Sequence, residues 1–228
     1  DVLSKVRISG GGRCNVTHSC FDNKEMVLNY PRGSKELRNV FSTFDASDTI
    51  DWFETRGVTL KTESDGRIFP TTDTSQTIIN CLLGECQKLD IKIYLSHNVD
   101  NIFKNNDGTF IVNVNKNQSY FSKNVIIATG GYPKFSSYHW IEQLGINVIH
   151  PVPSLFSFNA VKSAFAGLEG VSFDANFSIK GIHINITGPA IITHWGISGP
   201  APLKLSAWAA LELYTKKYEY EISIHFCP

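Results

Sequence analysis

Residues Ile8 to Asn15 read ISGGGRCN, three consecutive glycines running into an arginine, a cysteine and an asparagine. Glycine admits positive φ and leaves backbone amides uncovered, so Gly10, Gly11 and Gly12 can bring the chain against a flat ring or a phosphate. Arg13 can offer a forked donor to an anionic group. Asn15 can satisfy an amide-like edge. Gly10 and Gly12 would open a GxGxxG dinucleotide fingerprint, but its third position falls on Asn15. No acidic residue lies at the distance that would accept ribose hydroxyls. The same glycines equally suit a tight turn between two elements, and both readings stay open.

Two further stretches set small residues beside polar ones. VIIATGG, ending at Gly131, is an apolar run closed by a glycine pair. Ligands of α/β sheets sit at such carboxyl edges, where Thr129 could hydrogen-bond and Gly130 and Gly131 could admit a ligand. THWGISGP, from Thr193 to Pro200, combines a histidine, a tryptophan and two glycines. A lone histidine is more often structural than catalytic. The surrounding small residues still make His194 the best catalytic candidate, in a chain with no convincing general acid. Cys14, His18 and Cys20 form C-x3-H-x-C, which matches no standard zinc spacing and lacks a fourth ligand, so no metal is expected. No GxSxG, HExxH, P-loop or kinase pattern occurs. SDGRIFP, residues 64–70, reads only as a turn with Arg67 pairing locally.

Composition narrows the classes. The 228 residues are 42% hydrophobic and 12% aromatic, enough for a real core. Lys+Arg and Asp+Glu balance at 21 each, which argues against nucleic acid or an anionic membrane as partner and leaves a small molecule. Of the five cysteines, Cys14, Cys20, Cys81, Cys86 and Cys227, none forms a CxxC pair. The odd number points to a reducing, cytoplasmic setting and speaks against disulfide-reductase chemistry at Cys14. No apolar run approaches the ~20 residues of a membrane span, and no signal-peptide core opens the chain. The chain begins on Asp1 and stops on FCP. Both ends read as cut, so an internal piece of a longer protein is expected.

These residues need elements to position them. Residues 35–44 have helical spacing, with Leu37, Val40, Phe41 and Phe44 on one face. A second helix is expected over 48–56, capped by Ser47 or Asp45 and stopped at Gly57. VTLKTE alternates as a strand and SDGR turns it back. A third helix suits Ser75 to Leu89, with Ile78, Ile79, Leu82 and Leu83 inward. IKIYL (91–95) reads as a strand, and 98–121 as a hairpin about the Asn106-Asp107-Gly108 turn. NVIIATGG (124–131) reads as a central strand covered on both faces. A helix follows over 137–144, ending at Gly145. Beyond Pro151 and Pro153, residues 171–179 and 182–195 form an antiparallel pair, 203–214 a helix and 218–226 a strand. The expected division is 1–150 and 151–228.

KVRISGGGRCNVTH, YPRG, DGRIFP, VIIATGGYP, PVPSLFSF and ITHWGISGPAPLKLSAW follow one another along nearly the whole chain. Together they resemble the HI0933-like, BaiN-type family of NAD(P)/FAD-dependent oxidoreductases. The resemblance implies an α/β fold. It would be a partial glutathione-reductase-like, Rossmann-type FAD-binding domain with a helical subdomain, followed by part of a β-rich inserted domain. It implies FAD as cofactor and NAD(P)H as electron donor. It places Gly10, Gly11, Gly12, Arg13, Cys14 and Asn15 beside the flavin and its diphosphate. Val99 would offer backbone to the adenine, Thr129, Gly130 and Gly131 would line the cleft, and His194 to Gly199 would face flavin and substrate. The family's GxGxxG turn and its later glycine motif lie outside these residues, so a non-catalytic fragment that holds FAD weakly or not at all is the alternative. Many members carry Gly-Asp-Gly after the ATGG strand. Here PKFSSYHW stands instead, and a different contact is expected there.

Overall fold

The computed structural model describes residues 2–160 and 165–226. Cys227 lies outside them. The chain divides into two compact units, Asp1–Val125 and Ile126–Pro228. The first runs α1 (Ser4–Ile8), β1 (Thr17–His18), α2 (Asn23–Val27), α3 (Ser34–Phe41), α4 (Ala46–Glu54), β2 (Leu60–Thr62), β3 (Arg67–Pro70), α5 (Ser75–Lys88), β4 (Val99–Lys104), β5 (Phe110–Val114) and β6 (Gln118–Ser122). The second runs α6 (His139–Glu142), β7 (Phe158–Asn159), β8 (Ser172–Ile179), β9 (Ile182–Thr193), β10 (Gly196–Ser198), α7 (Pro200–Trp208), α8 (Ala210–Thr215) and β11 (Ile222–His225). The chain is of the expected α/β class in mixing helices with sheets, and its described sheets are antiparallel. Among the described residues no helix is long and apolar enough to cross a membrane.

Caps and turns explain most boundaries in the first unit. Asp45, not Ser47, opens α4: its carboxylate accepts from Ser47 N at 2.8 Å and Asp48 N at 3.2 Å, while Asp48 accepts from Asp45 N at 2.9 Å. This reciprocal box satisfies amides that the first helical turn leaves open. It also holds the Asp45 carboxyl below its usual range, chiefly through the Asp48 amide. Thr74 caps α5 through Gln76 N. Ser75 Oγ then donates to Arg7 O at 2.8 Å, tying α5 to α1. The buried face of α5, Ile78 and Ile79, is the one its spacing implies. β3 lies between β1 and β2 in one sheet. The 98–121 hairpin proves to be a three-stranded meander, β4-β5-β6.

Two expected strands do not form. IKIYL is irregular, with Ile91 and Leu95 53% and 60% exposed. NVIIATGG carries no strand either, and Ile126 is 91% exposed. Alternation and apolarity make a segment able to enter a sheet. A strand also needs a neighbour to take its N–H and C=O groups, and no ladder partner flanks either segment among the described residues. The expected helix over 137–144 shortens to α6, preceded by a 3-10 turn over Phe135–Tyr138.

The second unit is a five-stranded antiparallel sheet in the order β11-β8-β9-β10-β7. The pair β8–β9 was legible in its alternation. α7 starts earlier than its sequence pattern suggests, because Pro200 is tolerated where no N–H is needed. It breaks from α8 at Ala209. α7 buries Ala201, Leu205 and Ser206 against a core of Phe158, Phe177, Ile179 and Ile197. The buried Ser206 hydroxyl is satisfied twice, donating to Leu203 O at 2.8 Å and accepting from Phe156 N at 2.9 Å.

Candidate functional site

After α1 the chain makes a tight turn over Ser9–Gly12, with left-handed backbone at Gly10 and Gly11. Gly10, Gly11 and Gly12 hold φ of 54°, 67° and 84°, and Cys14 follows at 63°. The glycines divide into two kinds. A Cβ on Gly10 would lie 2.8 Å from Asn15 N and 3.0 Å from Phe69 Cε1. On Gly11 it would meet nothing within 4 Å, and on Gly12 only Arg7 O at 3.9 Å. So Gly10 is required by packing, while Gly11 and Gly12 leave open backbone. Gly10→Ala is expected to cost about 2–4 kcal/mol, from the conformational penalty plus overpacking. Gly11→Ala should cost only about 1 kcal/mol, the conformational part alone. Urea unfolding of the two variants side by side measures the difference, and equal costs would remove the distinction.

The loop rests on β3. Phe69 is fully buried, and the Arg13 guanidinium lies over its ring, 4.0 Å from the centroid. Arg13 Nη1 donates to Glu63 Oε1 at 2.5 Å and lies 3.6 Å from Asp73 Oδ1. Lys61 pairs with the same Asp73. Arg67 Nε reaches Asp65 Oδ2 at 2.7 Å, the local pairing its sequence suggests, and its Nη2 lies 3.5 Å from Glu63. Three cations and three carboxylates thus surround the loop floor. The Glu63 hydrogen bond raises the Arg13 pKa above its usual value. Asp73 is held below the usual carboxylate range chiefly by Lys61, and Asp65 chiefly by the backbone amide of Arg67. The Asn15 amide, turned with its NH2 inward, donates to Thr17 O at 2.9 Å and Ile68 O at 3.2 Å. Val16 N donates to Ile68 O at 2.8 Å. The sequence singled out Arg13 and Asn15 but missed Glu63 and Phe69. For Phe69 the available signal was the short apolar run IFP, whose Ile68, Phe69 and Pro70 are all buried.

Cys14 points into the core, 8% exposed, beside Val58 and Ile78. Cys14, Cys20, Cys81 and Cys86 are all free thiols. His18 Nε2 lies 3.1 Å from Asp65 O, and Cys20 Sγ donates to Asp22 O at 3.8 Å. Among the described residues no group of three or more His, Cys, Asp or Glu is placed to hold a metal. Val99 is exposed at the head of β4 and pairs with Val114.

In the second unit, Thr129, Gly130 and Gly131 form an exposed, irregular loop. The Tyr138 hydroxyl closes it, accepting from Tyr132 N at 2.8 Å and donating to Tyr132 O at 3.3 Å. Tyr138 belongs to the PKFSSYHW segment, which therefore supplies a contact of its own. His194 is exposed and is the first of two turn residues between β9 and β10. Glu169 lies within electrostatic range of it, its carboxyl held low chiefly by its own amide and that of Gly167.

Comparison with known proteins places these elements. The chain is 27% identical over 237 residues to the 3-dehydro-bile acid delta(4,6)-reductase of Clostridium scindens, covering 100% of this chain and 56% of that protein. It is 29% identical over 213 residues to the ribosomal RNA dihydrouridine synthase of Haemophilus influenzae, covering 89% of this chain and 52% of that one. The Escherichia coli protein of the same name is 27% identical over 215 residues, with 90% and 52% covered. The chain spans about half the length of the curated relatives it matches. Residues 1–199 match the model of the HI0933-like protein Rossmann domain. That span contains both the glycine loop and the His194 turn, and the chain belongs to the HI0933-like family.

Proposed function

We propose that this chain is part of an FAD-dependent oxidoreductase that passes reducing equivalents from NAD(P)H to a small organic acceptor. The observation that carries the reading is the Ser9–Gly12 turn, whose Gly11 and Gly12 leave open backbone. Uncovered backbone suits the close approach of a flat ring or a phosphate. FAD, when bound, would supply hydride transfer. The chain's own part is to seat it. Gly10 presses the loop onto Phe69, Asn15 pins it to β3, and Gly11 and Gly12 admit the close approach.

The similar proteins support a class of acceptor. A 3-dehydro-bile acid delta(4,6)-reductase acts on ring double bonds conjugated to a ketone. Dihydrouridine is the saturated form of a ring double bond conjugated to a carbonyl. Both names correspond to saturating a C=C bond in a carbonyl-bearing ring. The acceptor proposed here is of that class. The even balance of 21 basic and 21 acidic residues favours a small ring over an RNA backbone. The free thiols of the described cysteines support a reducing, cytoplasmic setting.

The test is the visible absorption spectrum of the purified chain, recorded with and without added FAD after gel filtration. A flavin band that travels with the protein is the expected result. A colourless protein that takes up no FAD would leave the reading to the longer relatives and make this chain a non-catalytic fragment.

A further inference from the structure

The five-stranded sheet of the second unit ends in two open edges, β11 on one side and β7 on the other. Both edges border one cleft of about 960 Å³. No ladder joins them, yet their side chains meet. The Phe158 and Tyr220 rings lie edge-on with centroids 5.6 Å apart, and those of Phe156 and Tyr218 at 5.9 Å. With Ile222 and Ile224 these rings give the cleft an apolar lining. β11 alternates along it, Ile222 and Ile224 half-buried and Ser223 and His225 exposed. Successive residues of an antiparallel strand turn their N–H and C=O groups to alternate sides. Lys180 N donates to Glu221 O at 3.0 Å, in register with the Ile222–Ile179 pair. Ile222 and Ile224 therefore turn their backbone groups away from β8, to the open side. On β7, Ala160 N donates to Trp195 O at 2.9 Å, so Asn159 turns its groups away from β10. Sheet edges are commonly blunted by lysine, proline or a bulge. Neither the FN of β7 nor the ISIH of β11 carries one.

We propose that this cleft takes an extended segment of a separate polypeptide, which pairs with β7 and β11 as the strand between them. The segment carries apolar side chains at alternate positions and a lysine or arginine near one end. Alternation sets one side of the added strand on the apolar lining and the other in solvent. The basic residue answers Glu219. Among the described residues that line the cleft it is the one charged side chain, and among the described residues its carboxylate makes no ion pair. A small apolar ligand would cover the same rings. It would also cut water off from the edge N–H and C=O groups without giving them a partner, which is unfavourable. The sheet edge of a second copy would bring its own neighbouring strand, and a gap bridged by single ring pairs does not admit two. The inference stands on the sheet and does not depend on a flavin.

The test titrates the full chain with two acetylated heptapeptides, Lys-Val-Thr-Val-Thr-Val-Thr and the same peptide with its lysine moved to the last position. Amide hydrogen exchange by NMR and fluorescence anisotropy are the readouts. One peptide should bind saturably and slow exchange at Asn159, Ile222 and Ile224, while Ser223, already paired to β8, stays unchanged. Proline in place of the central valine should weaken binding about tenfold or more. Glu219→Gln should weaken the lysine peptide about twofold to fivefold and leave a glutamine version of it unaffected. Failure of both peptides to bind would overturn the proposal, as would binding that leaves the Ile222 and Ile224 amides unprotected. Anilinonaphthalene sulfonate that binds while both peptides fail would overturn it too, and would make the cleft a pocket for small apolar molecules. Sedimentation showing a dimer in which the same amides are protected without peptide would overturn it in favour of a second copy.

Discussion

Phe69→Ala is expected to cost about 3–5 kcal/mol, the range for removing a buried aromatic from a packed site. Phe69 is 0% exposed, and its ring is the surface on which Gly10 and the Arg13 guanidinium rest. Truncation leaves a cavity and removes the cation–π platform together. Domains are stable by only about 5–15 kcal/mol, so this is a large share. Phe69→Leu keeps most of the volume and should cost about 1–2 kcal/mol. Urea unfolding of both variants measures the costs. A Phe69→Ala cost below about 1 kcal/mol would mean that the loop does not depend on its floor. If FAD binds at the loop, Phe69→Leu should weaken it more than its stability cost explains, because Arg13 loses the aromatic face that orients it.

Gly196→Ala should be comparably severe, about 3–5 kcal/mol, and for a different reason. The added Cβ would lie 2.2 Å from Phe158 O, 2.7 Å from Ala160 N and 3.1 Å from Asn159 Cα. All three are backbone atoms, so no side chain can swing aside. Either β10 parts from β7 or the β9–β10 hairpin changes register. Gly181→Ala is the control. It also has positive φ, but its nearest neighbour is the flexible Lys216 Nζ at 3.7 Å, so only about 1 kcal/mol is expected. Hydrogen exchange at Ala160 N, whose acceptor is Trp195 O, should speed up in Gly196→Ala and stay slow in Gly181→Ala. Unchanged protection in Gly196→Ala would show that the turn between β9 and β10 is not held through β7.

Features that depend on a few neighbouring residues were legible in the chain. The start of α5 at Ser75, the stop of α4 before Gly57 and the alternation of β8 and β9 follow from helical spacing, backbone freedom and the period of two. So did the pairing of Arg67 with Asp65, two residues away. The family itself was legible in GGGRCN and THWGISGP, and the match over residues 1–199 agrees. The cap of α4 was legible only as a choice. Asp45 prevails over Ser47 because its carboxylate reaches two amides while Asp48 reaches back.

What the tertiary structure alone decided involves partners far apart in sequence. Arg13 meets Glu63 fifty residues on, so its fork is engaged by protein carboxylates before any ligand arrives. Which glycine of Gly10–Gly12 is packed and which are open depends on Phe69, whose role a local reading of SDGRIFP could not show. NVIIA has the composition of a central strand yet stays irregular and exposed, since apolar character creates a demand for burial and only a neighbouring strand can meet it. The same holds at Gly196, where the need for glycine comes from Phe158 across the sheet rather than from the turn it ends. Local conformational energies are written in runs of three or four residues. Close approach and charge pairing belong to the folded chain, because they depend on which distant atoms arrive at the same place.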